Sequence, residues 1–234
     1  MGLNIKEYLI KKLSAFQYPQ FIFGKELIRA LSENGFSGGT VLDCPCGNGE
    51  VSYHLSKLKN TQIVGADINE VSVAIARRNF HKPNIEFMQA DIFEILSGDQ
   101  KFAAICVVNS LFLLPDHQEL FFKIKNSLND NKSKVYLIVP NVQGDNFKIF
   151  VKENPDVNRI TDNIEQLTKK LLIFGFNVDA SREIAYSTYY GRKELKYFSI
   201  FAPFYLLTLN FFKSLSKNQK GNYLILTCSP LATS

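Results

Sequence analysis

Short apolar runs alternate with stretches of helical periodicity along most of this chain. The apolar runs predict seven strands, at residues 40–42, 62–66, 85–89, 102–108, 134–139, 177–185 and 223–228. Apolar residues three and four positions apart predict helices at residues 50–58, 69–79, 118–128 and 163–174, and two more within residues 3–34. Residues 143–155 are largely polar and predict a loop.

This alternation is typical of an α/β fold, in which helices cover both faces of a mostly parallel sheet. We therefore predict a single doubly wound domain with a seven-stranded sheet. Its parts are an N-terminal helical segment, a core, an aromatic and basic insertion between strands 6 and 7, and a last strand with a tail. They span residues 1–37, 38–186, 187–221 and 222–234 in that order.

The composition is that of a folded protein with a basic C-terminal quarter. Of 234 residues, 46% are hydrophobic and 21% are charged, which excludes a disordered chain. From Ser181 onward, Lys and Arg exceed Asp and Glu by the whole formal net charge of +5. Such an excess fits a solvated surface or an acidic partner, and both interpretations stay open.

The four cysteines do not form a metal-binding pattern. Cys44 and Cys46 lie close together, but neither a second pair nor a His cluster follows, so we expect no metal site. The first residues lack a cleavable signal pattern, and no apolar run reaches the ~20 residues that cross a bilayer. We therefore expect a cytoplasmic protein.

Three acidic residues stand at or just after the carboxyl ends of predicted strands: Asp43, Asp67 and Asp91. In an open parallel sheet, ligands bind above those ends, where the strand order reverses. A carboxylate after the second strand suits a ribose, because it accepts from both sugar hydroxyls. The glycines of the loop after Asp43 allow close backbone approach to a ligand. The sequence thus predicts a nucleoside site at this edge.

Two nucleoside ligands compete for this site. A dinucleotide fingerprint needs three glycines in the pattern G-x-G-x-x-G, whereas Ser52 stands where the third would follow Gly47 and Gly49. Asp43 would also repel a pyrophosphate. Both points favour a ligand with an ammonium or sulfonium group over a nicotinamide dinucleotide.

Five segments follow one another along the chain: VLDCPCGNGE, IVGADIN, IEFMQADIFEI, FAAICVVNSLFLLPD and KVYLIVPN. They resemble, in this order, the first four motifs and the fifth-strand segment of class I S-adenosylmethionine-dependent methyltransferases. They occur in family order across residues 38–141. Pro45 departs from the pattern, because glycine is common at that place. The resemblance implies the Rossmann-like methyltransferase fold and S-adenosylmethionine as cofactor.

The resemblance also implies which residues bind the cofactor. The loop residues Cys46, Gly47, Asn48 and Gly49 would wrap its methionine part, with Asp43 at the amino end and the Asn109 backbone nearby. Asp67 would bind the ribose and Ile68 would pack on the adenine. Asp91 and the Ile92 N–H would bind the adenine edge. Simpler roles remain open, since Asp67 also fits a helix N-cap and Asp91 a turn.

The acceptor is less well defined. No residue stands out as a catalytic base, and we interpret Asp116-His117 as a helix start. Asn109-Ser110-Leu111-Phe112 lacks the prolines of nucleic-acid amino methyltransferases, which argues against a nucleic-acid substrate. The insertion at residues 187–221 fits a lid over a lipophilic acceptor, a homodimer or core surface, or a peripheral membrane contact.

The leading hypothesis is methylation of a small apolar or aromatic molecule on oxygen, nitrogen or carbon. The alternative is a catalytically inactive binding or regulatory protein that keeps the methyltransferase fold. The oligomeric state and pathway are not readable from the residues.

Overall fold

All seven predicted strands are present in one sheet of the computed structural model, which describes residues 19–153, 162–185, 202–216 and 220–232. They are β1 (Gly39–Asp43), β2 (Thr61–Asp67), β3 (Ile85–Gln89), β4 (Ala104–Val108), β5 (Lys134–Pro140), β6 (Phe176–Ile184) and β7 (Tyr223–Pro230). The strand order is β3-β2-β1-β4-β5-β7-β6. Only β7 runs against its neighbours, so the prediction of a mostly parallel sheet is confirmed.

Helices follow most of the strands. Those the structure describes are α1 (Gln20–Glu33), α2 (Glu50–Leu55), α3 (Glu70–Asn79), α4 (Ile92–Ile95), α5 (His117–Ser127), α6 (Asp145–Glu153), α7 (Ile164–Ile173) and α8 (Ala202–Ser214). A short 3₁₀ helix, Leu111–Leu113, follows β4. The first predicted helix of residues 3–34 lies outside the described residues.

The hydrophobic core lies on both faces of the sheet. On one face, α1 and α2 bury residues such as Leu27 and Leu55 against β1, β4, β5 and β7. On the other, α4, α5 and α7 bury residues such as Leu120 and Leu171 against the same sheet. The central strands are therefore covered on both faces, which explains why they appear in the sequence as continuous apolar runs.

The prediction of a loop at residues 143–155 was wrong, because α6 spans Asp145–Glu153. Its helical signal was present in the spacing of Phe147, Phe150 and Val151, but the polar content around these residues obscured it. The predicted fourth strand was also too long. Phe102 makes only an isolated bridge to Leu128, and β4 begins at Ala104.

The insertion between strands 6 and 7 is described in part. Its α8 places Leu207 against the core cluster of the α1 face, while Phe211, Phe212 and Leu215 are exposed. Within the described residues, no helix combines the length and the apolar character that a membrane span requires.

Candidate functional site

A cleft of about 330 Å³ opens at the carboxyl edge of the sheet, where the strand order reverses between β1 and β4. The loop after β1, the end of β2, the segment after β4 and the first turn of α1 form its walls. Its lining residues are Gln20, Phe23, Asp43, Pro45, Cys46, Gly47, Asn48, Glu50, Val51, Asp67, Ser72, Val108, Asn109, Ser110 and Leu113. Six of the ten predicted cofactor residues belong to this set: Asp43, Cys46, Gly47, Asn48, Asp67 and Asn109.

Hydrogen bonds to both neighbouring strands fix the loop after β1. The Cys44 N–H donates to the Cys106 carbonyl of β4 at 3.1 Å, and the Cys46 N–H donates to the Ala66 carbonyl of β2 at 2.8 Å. The Gly47 N–H then donates to Asp67 Oδ2 at 2.8 Å. Hydrogen bonds within the protein therefore fix the conformation of this loop along the cleft.

The two loop glycines have different surroundings. Gly47, at φ +54°, has no atom of the described residues, its chain neighbours apart, within 4 Å of the position that a Cβ would take. Gly49 caps α2 at φ +87°, and a Cβ there would lie 2.7 Å from Phe87 Cζ and 2.8 Å from Ala76 Cβ. Gly47 thus leaves room toward the cleft, whereas Gly49 allows α2 to pack on α3 and β3. Gly49 does not line the cleft.

Asp43 is fully buried at the base of the cleft. Its Oδ2 accepts a hydrogen bond from Ser52 Oγ at 2.5 Å, while its Oδ1 has no hydrogen-bond partner among the described residues. Burial raises the pKa of this carboxyl to about 7, and the charges of Glu50 and Asp67 add to the rise. A buried acceptor without a partner costs free energy, and a ligand that donates to Oδ1 recovers it.

Asp67 uses both carboxylate oxygens to hold backbone. Oδ2 accepts from Gly47, and Oδ1 accepts from the Asn69 N–H at 2.9 Å. Asp67 is not the N-cap of α3, because Asn69 fills that position with a bond to the Ser72 N–H. A carboxylate offers about four acceptor positions, so Asp67 keeps capacity for two hydroxyl donors.

The cleft is acidic. Asp43, Asp67 and Glu50 line it, and its described lining contains no Lys or Arg. Burial raises the pKa of Glu50 as well. Three carboxylates disfavour a pyrophosphate by like-charge repulsion and favour a ligand that carries positive charge.

Ile68, Asp91 and Ile92 lie outside the cleft lining. Ile68 follows Asp67 and is 66% exposed, which leaves its side chain accessible from solvent. Asp91 is the N-cap of α4, where Oδ1 accepts from the Phe93 N–H at 2.7 Å. The Ile92 side chain is buried in the core. Asp91 therefore has a structural role as a helix N-cap, whereas its sequence position had suggested a turn residue.

The segment after β4 turns sharply at the cleft. Asn109 adopts φ +50°, uncommon for a residue other than glycine, and its N–H donates to the Ile138 carbonyl at 2.7 Å. Ser110 follows it into the cleft, and its Oγ is buried without a partner among the described residues.

Sequence reasoning missed Glu50, Ser110 and the α1 residues Gln20 and Phe23. Glu50 had a visible signal, since an acid directly after the glycine loop reaches the same edge as Asp43. Gln20 and Phe23 had none, because α1 is far from the motifs in sequence and only the packing of α1 on the sheet brings its first turn to the cleft.

The cysteines and histidines take structural positions. Cys44, Cys46, Cys106 and Cys228 are all buried with free thiols, and burial raises the thiol pKa, to about 12 for Cys228. They stay protonated at neutral pH. Asp116 caps α5 through the Glu119 N–H, and His117 begins that helix, as predicted.

Comparison with known proteins gives consistent matches. Residues 41–131 match the family described as "Methyltransferase domain". Over 84 residues the chain is 36% identical to "Ribosomal protein L11 methyltransferase" of Caldanaerobacter subterraneus subsp. tengcongensis, covering 34% of this chain and 27% of that protein. Over 139 residues it is 30% identical to "Putative methyltransferase 235L" of Invertebrate iridescent virus 6, covering 58% and 47%. The chain thus spans less than half the length of either relative.

A SAM-dependent methyltransferase from Aquifex aeolicus shares the fold, with a TM-score of 0.58 and 15% identity over 87% of this chain and 88% of that one. Residues 41–131 thus match a methyltransferase domain, within a fold similar to that of S-adenosylmethionine-dependent methyltransferases. These matches support S-adenosylmethionine as the cofactor.

The cleft fits this cofactor in two respects. The unpartnered Asp43 Oδ1 matches a ligand that brings a donor, as the ammonium group of S-adenosylmethionine does. The open space beside Gly47 lets the ligand approach the backbone closely.

Proposed function

We propose that the protein transfers the methyl group of S-adenosylmethionine to a small acceptor with an apolar or aromatic body. The observation that carries this proposal is the mixed lining of the cleft. Asp43, Glu50 and Asp67 are acidic, whereas Phe23, Val108 and Leu113 contribute apolar side chains. A cationic cofactor fits the acidic residues and a neutral acceptor fits the apolar ones.

The proposed cofactor contacts follow the chain order of the cleft. Asp43 receives the ammonium end, and Cys46, Gly47 and Asn48 follow the methionine part. Asp67 receives the ribose hydroxyls. Asn109 contributes its carbonyl, because its N–H is already bonded to Ile138.

Ile68, Asp91 and Ile92 lie farther along the β2–β3 edge, where the adenine would extend beyond the described cleft lining. Gly49 acts indirectly, since it lets α2 pack where the loop needs it.

When bound, S-adenosylmethionine supplies an electrophilic methyl group on a sulfonium. The residues of the chain then have to align the acceptor and exclude water from the line of attack. The apolar side chains of Phe23, Val108 and Leu113 exclude water around the acceptor. The loop after β1, bonded to β2 and β4, helps the alignment because it holds the cofactor in one position.

The insertion at residues 187–221 is proposed to cover the acceptor. Leu207 of α8 packs against the same cluster as α1, whose first turn lines the cleft, so α8 is anchored on the same face of the sheet as α1. The exposed Phe211, Phe212 and Leu215 of this segment provide apolar surface. Deletion of residues 192–220 should abolish acceptor turnover while S-adenosylhomocysteine still binds. Unchanged turnover would remove this part of the proposal.

The main test separates cofactor binding from transfer. Titration calorimetry should show that S-adenosylhomocysteine binds and that NAD⁺ does not, and the first should raise the melting temperature. Radiolabelled S-adenosylmethionine is then supplied with small aromatic amines and phenols, and with ribosomal protein L11, which the name of one relative specifies as its substrate. Labelled small-molecule product supports the proposal. Labelling of the ribosomal protein alone would contradict the proposal, as would binding of NAD⁺ without binding of S-adenosylhomocysteine.

A further inference from the structure

Ser110 has an unusual combination of burial and missing contacts. The residue is only 5% exposed, it lines the cleft, and its Oγ has no hydrogen-bond partner among the described residues. A hydroxyl buried in this way has lost its hydrogen bonds to bulk water without replacement, which is unfavourable. Buried hydroxyls are nearly always bonded, so the exception needs an explanation.

The hydroxyl does not cap the short helix that follows it. Ser110 is the N-cap of the 3₁₀ helix Leu111–Leu113, the position at which a serine hydroxyl commonly accepts from a free backbone N–H. Here the side chain makes no such bond, and the Leu113 N–H donates to the Ser110 carbonyl at 2.8 Å instead. The Ser110 hydroxyl therefore does not stabilise the short helix that it precedes.

The preceding residue is strained in a way that presents Ser110 to the cleft. Asn109 adopts φ +50°, and its N–H bond to Ile138 of β5 holds it there. Non-glycine residues in this region cost about 1 kcal/mol or more and occur often at functional sites. The turn carries the chain away from β4 and leaves Ser110 and Leu113 on one side of the cleft.

The position of Ser110 assigns it to the acceptor side. Asp67 stands at the end of β2, Asp43 at the end of β1, and Ser110 beyond the end of β4, on the far side of β1 from β2. A cofactor with its ribose at Asp67 and its ammonium end near Asp43 directs its remaining face toward β4. Ser110 is the cleft-lining hydroxyl on that face, beside the apolar Val108 and Leu113.

We infer that Ser110 contacts the acceptor and that the acceptor reacts through a nitrogen or oxygen that carries a hydrogen. This inference rests on the proposed function and narrows its substrate class. The Ser110 oxygen accepts a hydrogen bond from the acceptor N–H or O–H, which turns a lone pair toward the methyl group. That lone pair forms the new bond to the methyl carbon while the carbon–sulfur bond breaks with its electron pair on sulfur, and the acceptor proton leaves to water.

Three probes with the same ring test the acceptor class: aniline, phenol and N,N-dimethylaniline. The first two carry the required hydrogen, and the third has a nucleophilic nitrogen without it. We expect methylation of aniline or phenol and no reaction of N,N-dimethylaniline. Reaction of the tertiary amine at a comparable rate, or of none of the three by a protein that binds S-adenosylhomocysteine, would overturn the inference.

Ser110→Ala and Ser110→Thr variants test the residue, because the second keeps the hydroxyl. With the better of the two reactive probes, the alanine variant should lose about tenfold or more in kcat/KM, mostly in kcat, and the threonine variant should recover part of the loss. The Kd of S-adenosylhomocysteine should stay within about twofold in both. Unchanged kcat/KM in the alanine variant, or an equal loss of cofactor affinity, would contradict acceptor contact. Failure of the unmodified protein to bind the cofactor would instead refute the proposed function itself.

Discussion

The Gly47 N–H donates to Asp67 Oδ2 at 2.8 Å and so joins the loop after β1 to the end of β2. These residues are 20 positions apart in the chain, and each was singled out by sequence for cofactor binding. The bond shows that the acid has two tasks, because it positions the loop and retains acceptor capacity for a ligand.

Replacement of Asp67 should therefore weaken cofactor binding strongly. We expect Asp67→Ala to raise the Kd of S-adenosylhomocysteine by about 10- to 100-fold, since hydrogen bonds to a charged acceptor are each worth about 1.5–3 kcal/mol. Titration calorimetry measures the change. Asp99→Ala, at an exposed acid outside the cleft, is the matched control and should bind normally. Equal affinity in the two variants would show that Asp67 holds no ligand.

The two loop glycines should respond differently to alanine. In Gly49→Ala the new methyl meets Phe87 and Ala76 below 3 Å, so we expect a loss of about 3 kcal/mol in unfolding free energy. In Gly47→Ala the new methyl meets no other atom of the described part of the chain within 4 Å, so the loss should be about 1 kcal/mol from backbone strain alone. Denaturant unfolding separates the two.

Gly47→Ala should affect ligand binding more than stability. Gly47 lines the cleft, so its replacement should weaken S-adenosylhomocysteine binding in a protein that remains folded. If Gly47→Ala bound the ligand as well as the unmodified protein does, the loop would not approach the cofactor.

Cofactor affinity should depend on pH through Asp43. The pKa of about 7 means that the carboxyl is largely neutral at pH 6 and largely charged at pH 8. Only the charged form pairs with an ammonium group, so the affinity for S-adenosylhomocysteine should rise about tenfold over that range. Calorimetry at several pH values measures this slope. Asp43→Asn should flatten it, and a slope that persists in the variant would assign the titration to another group.

Stability of the ligand-free protein should change with pH in the opposite direction. The folded-state pKa of Asp43 is raised, so its contribution to folding is present below the unfolded pKa near 4 and is lost as pH rises through about 7. Urea unfolding of the unmodified protein should therefore show decreasing stability between those values. Asp43→Asn should reduce the decrease.

Glu50 should modulate this titration. Its charge contributes to the raised pKa of Asp43, so Glu50→Gln should move the midpoint of the binding curve to lower pH. The same pH series measures the midpoint. A midpoint that stays unchanged in the variant would mean that the Glu50 charge does not contribute to the pKa of Asp43.

The sequence predicted the central strands well because β2, β4, β5 and β7 are mostly buried and read as apolar runs. Five-residue β3 was predicted with its observed bounds, Ile85–Gln89. The helix α6 was missed because its apolar spacing is mixed with polar residues. The apolar spacing is a local feature of the sequence, but whether it forms a helix depends on what that segment packs against.

The acidic edge was predictable for a different reason. Asp43 and Asp67 directly end strands that pair in parallel, so topology alone brings them together. The contribution of Gln20 and Phe23 was not predictable, because nothing in the first helix indicates which end of the sheet it reaches. Nor could the sequence show that the Ser110 hydroxyl would lack a partner, since that depends on the φ angle of Asn109.

The last strand has a consequence for how the sheet is completed. Because β7 lies between β5 and β6, β6 is synthesised before the strand it pairs with in the described sheet. A nascent chain that has reached Ile184 thus lacks the strand that pairs with both β5 and β6, and these edges stay open until residues 223–230 arrive. Open edges of this kind recruit other chains, so shortening the protein before β7 should favour aggregation over a smaller folded unit.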